Sequence, residues 1–293
     1  MTKHSVIGID LGGTKISIAR YDAETLAIEE KKKLSTYSDK KWRHVYQDLL
    51  RGIEEIKTDD TVAVGIGVPG LVCQLEGKII TLPNIPGAQD APFKTQLESD
   101  TGFSVTIDND ANVFALAEAL NSKYATQGVV VGITMGTGVG GGIVIDGKLY
   151  RGAHGFAAEI GHMLLKPGEP PYETDDKRGD IEQFLSGTAF GKRCKAANRP
   201  EEYLEGEVCA FMRPEVFREV AWMCVNVSTL LDPSLIILGG SAGKALQPHL
   251  GDIENEMQTW SLSEFPLPEL AVATLDDAAT RGAALLAMYE QDL

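Results

Sequence analysis

What most constrains the fold of this chain is a strand pair tipped with glycine, and it occurs twice. The first copy is Val6-Ile7-Gly8-Ile9-Asp10-Leu11-Gly12-Gly13-Thr14-Lys15. An apolar run ends in Asp10, and two glycines, a hydroxyl and an ammonium follow. Ile16-Ser17-Ile18-Ala19 then alternates apolar and polar, as a returning strand does. The pattern predicts a hairpin with no side chains at Gly12 and Gly13, so that backbone N–H groups can approach an anion closely. Thr14 and Lys15 add a donor and a positive charge. Asp10 is poorly suited to touch phosphate and well suited to hold Mg²⁺, directly or through water. An ordinary Gly-Gly hairpin with solvated flanks fits the same residues. The second copy runs from β-prone Val129–Thr134 into Met135-Gly136-Thr137-Gly138-Val139-Gly140-Gly141-Gly142, taken as the tip. It returns through Ile143-Val144-Ile145-Asp146-Gly147-Lys148. Two such hairpins suggest two related lobes gripping one polyphosphate from both sides.

Two glycine patterns are misleading. Gly136-x-Gly138-x-x-Gly141 and Gly65-x-Gly67-x-x-Gly70 satisfy the dinucleotide fingerprint, which needs a strand before it and a helix after it. The first is followed by another predicted strand. The second contains Pro69 and leads into Leu71-Val72-Cys73, which is no helix start. The sequence holds no G-x-x-x-x-G-K-[ST], so a P-loop is not supported either.

The 293 residues suffice for two domains, with 43% hydrophobic and 24% charged residues, a normal globular balance. A net charge of −15 disfavours nucleic-acid and anionic-membrane partners. It leaves an anionic nucleotide possible, because local dipoles at a glycine tip outweigh the global field. No apolar run reaches the roughly 18 residues of a membrane span, and no signal-peptide apolar region precedes the first strand. The four cysteines, Cys73, Cys194, Cys209 and Cys224, form no C-x-x-C pair. Reduced thiols and a cytoplasmic location are the expectation, with Cys209 and Cys224 on apolar helix faces.

Strands are expected near 5–10, 15–21, 25–35, 61–66 and 105–107, with helices near 38–57 and 92–101. Asn84-Ile85-Pro86-Gly87 reads as a loop. Asp108-Asn109-Asp110-Ala111-Asn112 follows the last of these strands and leads into a helix over Val113–Leu120. Asn109 and Asp110 therefore stand where a strand gives way to a helix, a usual place for a site in open α/β folds. Further on, Glu215–Leu231 has helical apolar spacing, Leu235–Leu238 is a buried strand, and Ala278–Met288 is a closing helix. Gly239-Gly240-Ser241-Ala242-Gly243 reads either as a plain strand-to-helix turn or as a turn against which a flat ring can lie.

Together these motifs resemble the ROK kinases, sugar kinases related by fold to actin, hexokinase and the Hsp70 ATPase domain. The resemblance covers nearly the whole chain. It rests on Asp10-x-Gly12-Gly13-Thr14-Lys15, Gly65-x-Gly67-x-Pro69-Gly70, Asn109-Asp110-Ala111-Asn112 and Gly136-Thr137-Gly138-Val139-Gly140-Gly141-Gly142. It continues through Glu159-Ile160-Gly161-His162, Glu182-x-x-x-Ser186-Gly187, Leu238-Gly239-Gly240-Ser241 and Arg281-Gly282-Ala283-Ala284. It implies an α/β, two-lobed actin-like ATPase (ribonuclease H-like) fold with a central interlobe cleft. The small N-terminal lobe would be 1–111, closed by the C-terminal helix 278–293, and the larger lobe 112–277. It also implies phosphorylation of a hexose at the 6-hydroxyl with ATP and Mg²⁺, often by a homodimer. Glucose is the first expectation, since Gly147–Gly155 and Asn84–Gly87 resemble glucokinases. An N-acetylglucosamine, N-acetylmannosamine or fructose kinase is the alternative, and a non-catalytic sugar sensor is the rival from another class.

A sugar hydroxyl has a pKa far above 7, so phosphoryl transfer benefits from a carboxylate that takes its proton. Asp110 is the candidate base, unless it merely caps the helix, as Asp often does. Asp108 or Asn109 could cap instead. By the resemblance, Gly70, Asn109, Asp110, Glu159, His162 and Glu182 would meet the sugar. Asp10, Gly12, Gly13, Thr14, Lys15, Gly136, Thr137, Gly138, Gly239, Gly240 and Ser241 would meet the nucleotide, with Asp10 serving Mg²⁺. Taken singly, Glu159 and Glu182 read as solvated helix-face carboxylates and His162 as a core histidine. One departure stands out. Most family members hold a structural zinc with His162 and three cysteines, but those positions here are Glu173, Asp175 and Asp180, so no structural zinc is expected. Family repressors carry an N-terminal DNA-binding extension, and none is expected in this sequence.

Overall fold

The computed structural model describes residues 4–12, 15–35, 41–74, 76–82, 85–197, 200–204 and 206–291. It begins with β1 (Ser5–Leu11), β2 (Lys15–Asp22), β3 (Ile28–Ser35), α1 (Trp42–Ile56), β4 (Thr61–Val68), β5 (Leu71–Cys73) and β6 (Lys78–Thr81). Next come α2 (Phe93–Thr101), β7 (Ser104–Asn109), α3 (Asp110–Leu120), β8 (Val129–Met135), β9 (Val139–Ile145) and β10 (Lys148–Leu149). The remainder is α4 (Ile181–Leu185), α5 (Gly187–Arg193), α6 (Arg213–Leu231), β11 (Leu235–Gly239), α7 (Gly240–Ala245), α8 (Leu250–Trp260), β12 (Glu269–Val272) and α9 (Ala278–Glu290), with short 3-10 turns between. The chain divides into two units, one of Met1–Ala117, Arg151–Ala157 and Leu275–Leu293, the other of Glu118–Tyr150 and Ala158–Thr274. Most of α3 therefore goes with the first unit, as do the seven residues from Arg151, where the sequence reading put the boundary at 111/112.

In the first unit the sheet order is β3-β2-β1-β4-β7. The β1, β4 and β7 strands run parallel, and β2 and β3 return antiparallel. The parallel strands are apolar along most of their length because helices cover them. The edge strand β3 carries Lys31, Lys32 and Lys33, which blunt it against further pairing. Helix α1 buries Val45, Leu49, Ile53 and Ile56 at helical spacing. The alanine-rich α9 packs on β1 and β4 at very close range. A Cβ on Gly65 of β4 would run into the Ala283 carbonyl oxygen, so only glycine allows this approach.

The second unit repeats the pattern. Its order is β10-β9-β8-β11-β12, with β8, β11 and β12 parallel and β9 and β10 antiparallel. Its core joins these strands to α4, α5, α6 and α8 through Phe184, Phe190, Val216, Val220, Met223 and Ile253.

Several expectations need correction. The second glycine tip is shorter than read: β9 starts at Val139, so Gly140, Gly141 and Gly142 pair with β8 as strand residues. Glycine runs score as turns when taken alone, whereas here a Cβ on Gly141 would run into Ile160 and the Ala158 carbonyl. Cys194 and Cys209 are joined in a disulfide, against the expectation of reduced thiols. The tertiary fold returns residues 15 apart in sequence to a Cα separation of 6.0 Å, inside the range a disulfide spans. Cys209 lies in a 3-10 turn rather than on an α-helical face, while Cys224 is buried in α6 as expected. Of the two readings of Gly239–Gly243, the structure has the plain strand-to-helix junction, with β11 ending at Gly239 and α7 beginning at Gly240. Among the described residues no helix is long and apolar enough to cross a membrane.

Candidate functional site

In the first unit the carboxyl ends of three parallel strands stand in register. Asp10 of β1 pairs with Gly67 of β4, and Gly67 pairs with Asp108 of β7. Polar groups at such strand ends are well placed for ligands. The β1–β2 hairpin is closed by Gly12 N–H donating to the Lys15 carbonyl at 2.9 Å. Gly13 and Thr14 lie outside the described residues, as does Asn84. Burial pushes the Asp10 carboxyl up to about 6, and the Lys15 charge partly opposes the shift.

The turn from β7 into α3 is held by side chains. Asn109 Oδ1 accepts from Ala111 N at 2.8 Å and Asn112 N at 3.4 Å, which makes Asn109 the cap of α3. Its Nδ2 donates to the Gly70 carbonyl at 3.0 Å, so Asn109 and Gly70 are brought together. Buried Asp108 accepts from Asn109 N at 2.8 Å, Asn112 Nδ2 at 2.7 Å and Arg151 Nε at 2.7 Å. Asp110 is the first residue of α3, and its Oδ1 accepts from Ala111 N at 2.8 Å. A Cβ on Gly67 would stand 3.5 Å from the Asp110 Cα. The start of α3 thus rests beside the strand whose partner carries Asp10.

In the second unit the tip reduces to Gly136-Thr137-Gly138. Gly136 N–H donates to the Gly138 carbonyl at 2.9 Å. The tip is braced from below: Gly187 N–H reaches the Gly136 carbonyl at 2.7 Å, and Thr188 Oγ1 donates to the Thr137 carbonyl at 2.8 Å. Glu182 Oε2 accepts from Val139 N at 2.9 Å, and a Cβ on Gly138 would collide with that oxygen. Gly239 pairs with Thr134, and the Gly240 backbone lies against Met135, so the two predicted nucleotide segments of this unit are neighbours.

Glu159 precedes and His162 ends a 3-10 turn that packs on β9, where a Cβ on Gly161 would run into the Val139 carbonyl. Burial raises the Glu159 carboxyl above its usual range; His162 opposes the shift and Glu182 adds to it. His162 Nδ1 lies 3.4 Å from Asp180 Oδ2. Asp180 also caps α4, accepting from Gln183 N at 3.2 Å. Glu173 and Asp175 are exposed. One imidazole and carboxylates do not fit a structural zinc, which takes thiolate and imidazole in a closed tetrahedron. Among the described residues no group of three His, Cys, Asp or Glu is placed to hold a metal ion.

Sequence reasoning missed Arg151, which no local motif connects to Asp108, and it missed the brace from Gly187 and Thr188. Gln183 was legible in principle. Asp180-x-x-Gln183 ahead of an apolar run has the spacing of a helix cap.

This geometry is a familiar one. The ROK family profile matches residues 6–290. An N-acetyl-D-glucosamine kinase of Erwinia tasmaniensis is 35% identical over 257 residues, covering 80% of this chain and 82% of that protein. The crystal structure of a ROK hexokinase from Thermus thermophilus superposes with a TM-score of 0.84 at 29% identity, covering 98% of this chain and 99% of that one. A ROK family glucokinase from Streptomyces griseus, solved with glucose and AMPPNP, gives 0.77 at 29% identity, covering 97% and 99%. The fold is the mixed α/β architecture of actin-like ATPases found in ROK kinases. The chain belongs to the ROK family.

Proposed function

We propose that this protein transfers the γ-phosphoryl group of ATP to the 6-hydroxyl of an amino sugar, N-acetylglucosamine. The class of reaction is supported by the family and by the carboxylates at the ends of β1 and β7. The choice of sugar is supported by the relative at 35% identity, an N-acetyl-D-glucosamine kinase. The glucokinase structure, 29% identical, supports glucose as the second reading. Glucose, the sequence-based first choice, therefore yields to the amino sugar.

The observation that carries the mechanism is the division of labour at the start of α3. Asn109 supplies the cap through Oδ1, so the helix does not need the Asp110 side chain as its cap. Asp110 takes the proton of the 6-hydroxyl as that oxygen attacks the γ-phosphorus, and ADP leaves with the bridging oxygen. Asn109, Gly70, Glu159, His162 and Glu182 form the proposed sugar set. Asn109 has both Oδ1 and Nδ2 engaged with the backbone, and Glu182 has Oε2 so engaged, which fixes the orientation of each side chain. The proposed nucleotide set is Asp10, Gly12, Gly13, Thr14, Lys15, Gly136, Thr137, Gly138, Gly239, Gly240 and Ser241. The hard oxygen donor at Asp10 fits Mg²⁺, which when bound neutralises phosphate charge. Lys15 and the backbone N–H groups of the glycine tips orient the phosphates.

The reading is tested by coupled ADP release over a panel of N-acetylglucosamine, N-acetylmannosamine, glucose, mannose and fructose. The highest kcat/KM is expected for N-acetylglucosamine. Sugar binding by calorimetry without ADP release from any sugar would make the protein a sensor instead.

A further inference from the structure

Backbone hydrogen bonds join the two ends of the segment from Met163 to Ile181. Ile181 N–H donates to the Met163 carbonyl at 2.9 Å. Leu165 and Lys166 N–H both reach the Gly179 carbonyl, at 2.8 and 2.9 Å, and Gly168 N–H reaches the Lys177 carbonyl at 3.0 Å. Gln183 staples the turn: its Oε1 accepts from Gly179 N at 2.7 Å, and its Nε2 donates to the Asp176 carbonyl at 3.1 Å. This ladder delivers Asp180 to a fixed place at the start of α4, where Gln183 N holds its Oδ1. The other oxygen, Oδ2, is left for His162 Nδ1 at 3.4 Å and Arg178 Nε at 3.4 Å. The Asp180 side chain is 6% exposed and the His162 side chain 50%. A fixed, buried acceptor thus stands behind a half-exposed ring.

We propose that Asp180 is a positioning residue: it holds His162 in the tautomer protonated at Nδ1, so that Nε2 is presented as a hydrogen-bond acceptor. An ionised carboxylate only accepts, so the ring nitrogen facing it must donate, and in a neutral ring the other nitrogen then carries the lone pair. A carboxylate orients and polarises an imidazole in the same way behind metal-bound histidines. Here it does so where the donors do not fit zinc, and the ring is aimed by the Gln183 ladder. The inference rests on the reading of His162 as a sugar contact. A sugar hydroxyl meeting Nε2 would donate a hydrogen bond to that atom.

The test uses the full chain with ¹⁵N-labelled histidine. Nitrogen shifts and couplings to ring protons identify the tautomer of His162, assigned by its disappearance in His162→Gln. The Nδ1–H form is expected to dominate. Asp180→Ser keeps a good helix cap but lacks the second oxygen. It should mix the tautomers and raise the sugar KM about 3- to 10-fold, the loss of one neutral hydrogen bond, with a smaller change in kcat. A merely structural Asp180 would lower stability and leave the tautomer of the folded protein as it was. A dominant Nε2–H form in the wild type, or an unchanged tautomer or KM in Asp180→Ser, overturns the proposal. If no sugar is phosphorylated while the tautomers behave as expected, the kinase reading fails and the His162–Asp180 assignment stands.

Discussion

At Asp110, exchanging one carboxylate oxygen for an amide removes a proton acceptor and changes shape very little. Asp110→Asn should therefore bind sugar, as measured by calorimetry, while turnover falls about 10²- to 10⁴-fold, the range for a lost general base. Turnover above roughly a tenth of wild type would remove Asp110 from that role. A second residue-scale expectation concerns Glu219, fully buried in α6 and paired with Arg193 at 2.6 Å. Burial pushes its carboxyl up from 4.5 to about 7, with Arg193 opposing. Because the folded value is raised, the folded state holds this proton over a window where the unfolded chain has lost it. Stability from this group is complete below the unfolded value and declines as pH rises through the folded one, by at most about 3 kcal/mol. Urea midpoints of wild type and Glu219→Gln at about pH 5 and about pH 8 should converge or cross as pH rises, the wild type losing more. Parallel changes would contradict the sign.

At the scale of elements, glycines that serve packing can be separated from those proposed to serve ligands. Gly65→Ala would drive a methyl into the Ala283 carbonyl of α9. Backbone cannot step aside as a side chain can, so destabilisation of about 1–3 kcal/mol or more is expected in the urea midpoint. A Cβ on Gly136 meets nothing within 4 Å. Gly136→Ala should fold with stability within about 1 kcal/mol of wild type yet raise the KM for ATP, if the tip cradles phosphate. An unchanged KM would mean that the tip does not approach the nucleotide. The same distinction explains what was legible in the sequence. The strands and long helices were readable because period and apolar runs are local properties, as in β1, β4 and α6. The end of β7 was readable as a place for polar chemistry because strand gives way to helix at Asn109. The start of β9 was not, because Gly140–Gly142 look like a turn until β8 and the turn at Glu159–His162 are packed against them. The Cys194–Cys209 link and the Arg151–Asp108 pair join distant positions, and no spacing rule reaches them. Glu182 stood out only through the family resemblance, and its bond to Val139 N depends on α4 meeting the hairpin.

At the scale of the whole molecule, the two units share one strand order, an antiparallel pair followed by parallel strands, and each places a glycine hairpin where its first parallel strand ends. Because the loop at Asp180 is closed by backbone bonds and by Gln183, a chelator that strips zinc should leave the melting temperature and the turnover unchanged. One tightly held zinc per chain, lost together with activity, would contradict that. The central claim, a ROK kinase acting on an amino sugar through Asp110, is tested most directly by ADP release with N-acetylglucosamine and with glucose, in wild type and Asp110→Asn side by side. The expected result is faster release with N-acetylglucosamine in the wild type and its near-abolition in the variant. Release that is independent of any hexose, or that survives the substitution, would contradict it.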